Sequence, residues 1–211
     1  MDIVYRDERI VVAIKPAGVI STDVRNGMPE LLRRQLHTDC IRTVHRLDAP
    51  VSGLMVLARS SRAAAEISAQ IRDGAFSKAY LAVLRGVPQE MSGELIDLLG
   101  RDRERRMTYV ADAPGKGVQE ARLRYEVLAA RDGLSLVRVE LLTGRTHQIR
   151  VQFASRGLPL AGDRRYGSPG DLLSPIALWS AHLSFRHPET GAEMTFDRQP
   201  PAIPPWNVFG I

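Results

Sequence analysis

The sequence holds a single cysteine, Cys40, in 211 residues. One thiol cannot close an intrachain disulfide, so no disulfide framework is available to this fold. No apolar run is long enough to span a bilayer. The first nine residues carry Asp2, Arg6, Asp7, Glu8 and Arg9 where a secretory signal needs an apolar stretch. No export is therefore expected, and a reducing cytoplasm is the expected location. Internal repeats, low-complexity tracts and flexible linkers are missing. Lysine is scarce too: of 29 basic residues only Lys15, Lys78 and Lys116 are lysines, so the chain's positive charge is almost all guanidinium.

What is present is an ordinary globular composition, 44% hydrophobic and 25% charged, over a length that suits one domain or two fused halves. The net charge is +5 and unevenly placed. Arg101 to Arg165 holds 14 basic and 8 acidic residues, +6, against −1 for the remainder. A basic middle third on a neutral body is the footprint of a polyanion binder, and arginine's planar fork suits phosphate and base edges. Codon usage in a GC-rich genome explains the arginines equally well, so charge alone makes nucleic acid plausible and no more.

The apolar, β-branched run Ile10 to Lys15 is cut by Pro16-Ala17-Gly18 and reads as a strand ending in a turn. Pro29 to Leu36 reads as a short helix with proline in its first turn. Leu54 to Ala58 is a buried strand. A helix is expected from Arg62 to Arg72, capped by Ser60 or Ser61 and stopped at Gly74. Lys78 to Leu84 is the next strand. Ala121 to Leu142 is a hairpin turning at Asp132-Gly133. Thr146 to Arg156 is expected to be helical. A second hairpin joins Leu183-Ser184-Phe185 to Met194-Thr195-Phe196. Strands outnumber helices, and the expected class is α+β around a largely antiparallel sheet. Cys40 is expected in the core.

Three stretches carry polar residues into or beside apolar structure. His45-Arg46-Leu47-Asp48 precedes Ser52-Gly53-Leu54 and puts a carboxylate in a loop braced by a buried strand. Lys78-Ala79-Tyr80 opens an apolar strand. Thr143-Gly144-Arg145-Thr146-His147-Gln148-Ile149-Arg150 couples a hairpin to a helix. Alone, Asp48 could cap a loop, Tyr80 could be a core tyrosine, and His45 and His147 could simply hold loops. His37, Asp39, Cys40 and His45 match no standard zinc spacing. Arg101, Arg103, Arg105 and Arg106 alternate with Asp102 and Glu104 and read as a loop, either gripping a polyanion or merely solvated.

In order and spacing these stretches resemble the RluA family of pseudouridine synthases. His45-Arg46-Leu47-Asp48 matches its catalytic loop. Lys78 to Val83 matches its tyrosine motif. Gly144 to Val151, Gly157 and Gly162-Asp163-Arg164-Arg165-Tyr166-Gly167 match its third motif. Lys15-Pro16-Ala17-Gly18 and His187-Pro188-Glu189-Thr190-Gly191 are weaker echoes. The resemblance spans nearly the whole chain. It implies the pseudouridine synthase fold, a curved mixed sheet with flanking helices around a central catalytic cleft, in one catalytic domain over 1–211 without a separate N-terminal RNA-binding domain. It implies Asp48 as the catalytic aspartate, Tyr80 against the flipped uracil and Arg150 paired with Asp48. Arg46 would enter the RNA stack, with His45, Arg145 and His147 also on the RNA-binding side. Two departures are Gln152, where many members have histidine, and Ser21-Thr22-Asp23 after the early glycine.

The implied reaction breaks the glycosidic bond to N1, turns the uracil and bonds its C5 to the same sugar carbon. The uridine must be extruded from stacked RNA, which costs a few kcal/mol. Arg46 filling the vacancy and phosphate contacts from the basic third would offset that cost. The carboxylate must be ionised, either to attack the sugar or to take a proton from it, and the resemblance leaves both routes open. A neighbouring guanidinium favours the charged form where burial opposes it. No redox or group transfer occurs, so no cofactor or metal is expected. The expected partner is structured RNA, ribosomal or transfer, met by a monomer away from any membrane. Two rivals stand beside this reading. One is an idle RNA-binding protein that kept the fold. The other is a glycoside hydrolase, for which no second carboxylate is evident.

Overall fold

The computed structural model describes residues 1–167, 171, 173 and 175–211. In chain order the elements are β1 (Asp2–Arg6), β2 (Ile10–Lys15), α1 (Met28–Leu36), β3 (Arg42–Thr43), β4 (Ser52–Ala58), α2 (Ser61–Arg72), β5 (Ser77–Arg85), β6 (Ser92–Asp102), β7 (Met107–Ala111), β8 (Gln119–Arg131), β9 (Leu134–Leu141), α3 (Gln148–Ala154), β10 (Leu178–Arg186), β11 (Glu193–Asp197) and a closing 3-10 turn, Trp206–Phe209. The α+β class is as expected. No described helix is long and apolar enough to cross a membrane. The chain forms two compact units, Met1–Lys78 with Trp179–Gln199, and Ala79–Leu178 with Pro200–Ile211.

In the first unit the strand order is β1-β2-β4-β10, with β3 on β4 and β11 on β10. The β4–β10 pairing is parallel and the others are antiparallel. The continuous apolar runs of β2 and β4 are buried on both faces, as their lack of alternation demands. Ile10, Val12, Leu54 and Val56 face Ile67 of α2 together with Leu183 and Phe185. Val11, Ala13, Met55 and Leu57 face Met28 and Leu32 of α1. Each such side chain contributes roughly 1.5–3 kcal/mol of burial. Ser60 caps α2, its hydroxyl accepting from the Ala63 amide. Gly53 has φ +119, and a Cβ there would lie 2.4 Å from the Ser180 carbonyl oxygen. Only glycine lets β10 approach β4 at this point.

In the second unit the order is β5-β9-β8-β6-β7, and every described pairing is antiparallel. The β8–β9 hairpin turns at Asp132 and Gly133, with φ of 53 and 72. Both are positive, as a tight two-residue hairpin turn requires. Val151 of α3 packs on Leu99 and Ala121, with Tyr166 against the same cluster.

Three expectations are corrected. Arg101 and Asp102 end a strand, and the basic run that read as a loop is the tip of a β6–β7 hairpin. Helix α3 starts at Gln148 rather than Thr146, because His147 takes a left-handed conformation with φ 54. The Gln148 side chain secures that turn by accepting from the Thr143 hydroxyl at 2.8 Å and the Arg145 amide at 2.9 Å. Cys40 is half-buried rather than in the core.

Candidate active site

The loop bearing Asp48 is pinned on both sides of that residue. On one side Ser21 and Leu47 exchange hydrogen bonds: the Ser21 hydroxyl donates to the Leu47 carbonyl at 2.7 Å and accepts from its amide at 3.0 Å. On the other side the Ala49 carbonyl accepts from the Lys15 ammonium at 3.0 Å and the Gly18 amide at 2.8 Å. Asp48's own carbonyl accepts from the Val51 amide at 3.0 Å. A half-buried carboxylate is thereby set on a loop with little freedom.

Lys15 is the residue the sequence reading undervalued. It is 0% exposed. Its three ammonium donors meet three carbonyls, those of Pro16 at 2.9 Å, Val19 at 2.7 Å and Ala49 at 3.0 Å. Burial pulls its pKa down to about 8, while the charge of Asp48 works in the opposite direction. Lys15 therefore ties the end of β2 to the Asp48 loop and places a cation in the field of Asp48. The only sequence signal was a lysine ending a β-branched run before Pro16.

His45 lies behind the loop. Its ring is 8% exposed and accepts the Val56 amide of β4 at 3.1 Å through Nε2, beside the Phe76 ring. Burial, reinforced by the charge of Lys78, pushes its pKa down to about 3. Native His45 thus stays neutral while the unfolded chain takes up a proton near ~6.5. The unfolded state binds more protons between those values, so stability present at neutrality is lost as pH falls through 6.5 toward 3. Between pH 7 and 5 the loss is expected to be about 2 kcal/mol in urea titrations. His45→Gln, whose amide oxygen still accepts the Val56 amide, should flatten that dependence. Parallel profiles for the two proteins would remove His45 as its source. Arg46, next to it, is exposed.

In the second unit Tyr80 sits in β5, 4% exposed and opposite Val139. Arg150 is 5% exposed in the first turn of α3. Its Nε and Nη2 donate to the two oxygens of Asp163, each at 2.8 Å, and its guanidinium lies 5.1 Å from the centre of the Tyr166 ring. Burial opposes ionisation of Asp163. The Arg150 fork and the Arg165 and Tyr166 amides outweigh it and hold the carboxyl below its usual range. The Tyr166 hydroxyl accepts from the Thr108 amide at 2.8 Å and sits 2.7 Å from Nδ1 of His147. His147 is thus fixed from its own unit. Arg145 donates through Nε to the Glu120 carbonyl at 2.9 Å. Gln152 is fully buried and donates to Asp97 at 2.7 Å, a bond from α3 to β6. In the sequence Asp163 and Tyr166 stand out only as members of a motif. The geometry makes them the mount for Arg150.

The model for the family described as RNA pseudouridylate synthase matches residues 9–155. The chain is 35% identical over 200 residues to an uncharacterized RNA pseudouridine synthase of Bacillus subtilis, covering 90% of this chain and 65% of the relative. It is 33% identical over 208 residues to the dual-specificity RNA pseudouridine synthase RluA of Salmonella typhimurium, covering 92% and 90%. The match therefore spans slightly less than two thirds of the first relative and nearly the whole of the second. Among solved structures, human RNA pseudouridylate synthase domain containing 1 superposes with a TM-score of 0.82 at 27% identity, covering 96% of this chain and 84% of that one.

Proposed function

The chain belongs to the RNA pseudouridylate synthase family, and on that premise we propose that it isomerises uridine in structured RNA with Asp48 as its catalytic carboxylate. The observation that carries this reading is the bracing of Asp48 by Ser21 and Lys15 in a loop that falls inside the family match. The fold is that of the family. No observation favours a catalytically idle protein.

In the proposed reaction Asp48 acts on the ribose of an extruded uridine. The C1′–N1 bond breaks, the uracil turns, C5 bonds to C1′, and the proton that C5 gives up is balanced by one that N1 takes up. Tyr80 offers its ring to the turning base, and Arg150, mounted on Asp163 and Tyr166, is the cation paired with Asp48. Lys15 adds a second positive charge near that carboxylate. Arg46, exposed on the catalytic loop, takes the place the uridine leaves, and Arg145 and His147 border the RNA. The two units act together as one catalytic domain, in a cytoplasmic monomer whose substrates are ribosomal or transfer RNA.

The test is to incubate the protein with unmodified ribosomal and transfer RNA and to map pseudouridine by mass spectrometry. Discrete new pseudouridines in either pool are expected. None in both would overturn the reading.

A further inference from the structure

We propose that the β6–β7 hairpin carries a binding site for an unpaired RNA segment flanking the reacting uridine, with Tyr109 as a stacking platform and Arg101, Arg103, Arg106, Lys116 and Arg145 as its phosphate contacts. This rests on the function proposed above and adds where, and in what form, the RNA next to the target is held.

The site is a groove of about 1070 Å³ within the second unit. All five cations line it, and no carboxylate does. Small-ligand pockets are mostly apolar and reach about 1,000 Å³ at most. This groove is instead cationic and open, which suits a charged backbone rather than a metabolite. Of the two acidic residues on the hairpin tip, Asp102 accepts from the Arg105 amide at 2.9 Å, and Glu104 is exposed outside the lining.

Tyr109 is the feature that charge does not explain. It lines the groove and is 48% exposed. It pairs across the ladder with Gly100, and a Cβ on that glycine would lie 2.5 Å from Cζ of the ring and 2.6 Å from its hydroxyl. The hydroxyl end of the ring therefore rests on bare backbone, a seat that any larger residue would destroy. A ring seated in this way is held without help from a partner side chain and keeps surface for a second stacked layer. An aromatic in a cationic groove is the usual means of gripping single strands, because every unpaired base offers a face to stack on. A duplex has no such face to give, and its deep, narrow major groove does not admit side chains.

The position ties the groove to the reaction. Thr108, beside Tyr109, donates its hydroxyl to the Thr146 carbonyl at 2.9 Å and its amide to the Tyr166 hydroxyl at 2.8 Å. The same Tyr166 carries the Arg150 guanidinium. The groove, which Thr108 and Thr146 also line, therefore reaches a residue bonded to the mount of Arg150.

The test measures equilibrium binding of the full chain to labelled oligoadenylate, to an abasic oligomer of equal length and to a blunt RNA duplex, at two salt concentrations. None of the probes requires catalysis. Tyr109→Ala is expected to weaken oligoadenylate binding about tenfold and to leave the abasic oligomer and the duplex unchanged. Tyr109→Phe should bind as the parent does. Gly100→Ala, which unseats the ring without removing it, should resemble Tyr109→Ala. Replacing Arg103 and Arg106 together with alanine should weaken all three probes and lower the salt slope by about 2. Equal loss on all probes with Tyr109→Ala, or no loss on any, would overturn the platform. Since Tyr109→Phe keeps the ring's packing, a folding defect shows as a difference between the phenylalanine and alanine variants in thermal melts. Should the groove fail this test while the wild-type chain still forms pseudouridine, the proposed function stands without it.

Discussion

Asp48→Asn is expected to lower uridine isomerisation by at least about 10³-fold while leaving a folded protein that still binds RNA. Asparagine has the shape of aspartate but neither its charge nor its basicity, so it can neither attack the sugar nor take a proton from it. The backbone bonds that hold the loop do not use that carboxylate. Its backbone is held by Ser21 on Leu47, by Lys15 and Gly18 on Ala49, and by the turn from Asp48 to Val51. The measurement is pseudouridine formed per enzyme by mass spectrometry, alongside affinity for the same RNA. Loss of turnover with retained affinity places Asp48 in the chemistry. An unchanged product yield would remove it. Losing the charge at position 48 also removes the influence that supports the Lys15 ammonium against burial, so Lys15 should titrate below its native value of about 8.

How far the sequence foretold this site depends on how local each cause is. The apolar run Ile10–Lys15, the Ser60 cap and the Asp132-Gly133 turn act within a few residues, and each is where the pattern put it. The β6–β7 hairpin was missed because the apolar residues of Ser92–Asp102 come as the doublets Leu95-Ile96 and Leu98-Leu99 rather than in alternation, and the strand pairs with β8 far along the chain. His147 was placed inside a helix that begins one residue after it, because a left-handed residue leaves no mark in hydrophobic periodicity. Lys15 stood out only as the last residue of an apolar strand. Its burial depends on three carbonyls, one of them 34 residues away at Ala49, and no spacing rule collects those. Asp48 and Arg150 stood out only as members of an ordered set of motifs. The partner that binds Arg150 from the same unit, Asp163, sat in that set without a role until the fold brought it to the guanidinium.

That buried pair gives a way to separate what Arg150 does for stability from what it does for the reaction. Both side chains are almost fully sequestered, at 5% and 0% exposure, and they meet through two parallel bonds. Removing one partner of such a pair strands a charge out of water, at a cost of about 3 to 5 kcal/mol. Arg150→Met should therefore destabilise the protein by that much. Asp163→Asn should do so as well, since it keeps an oxygen for the Arg165 and Tyr166 amides but leaves the guanidinium without its counter-charge. The double variant carries neither charge and keeps the amide acceptor, so urea denaturation should show at least half of the single-variant loss recovered. Activity should follow a different order. Asp163→Asn retains the arginine but loosens its mount, so turnover should fall while the wild-type reaction remains measurable. The double variant, though restabilised, should be as inactive as Arg150→Met if the guanidinium serves the reaction, because methionine carries no cation. Recovery of turnover along with stability would mean that Arg150 only holds the fold together. Stability regained without turnover would assign the guanidinium to the chemistry and Asp163 to its orientation.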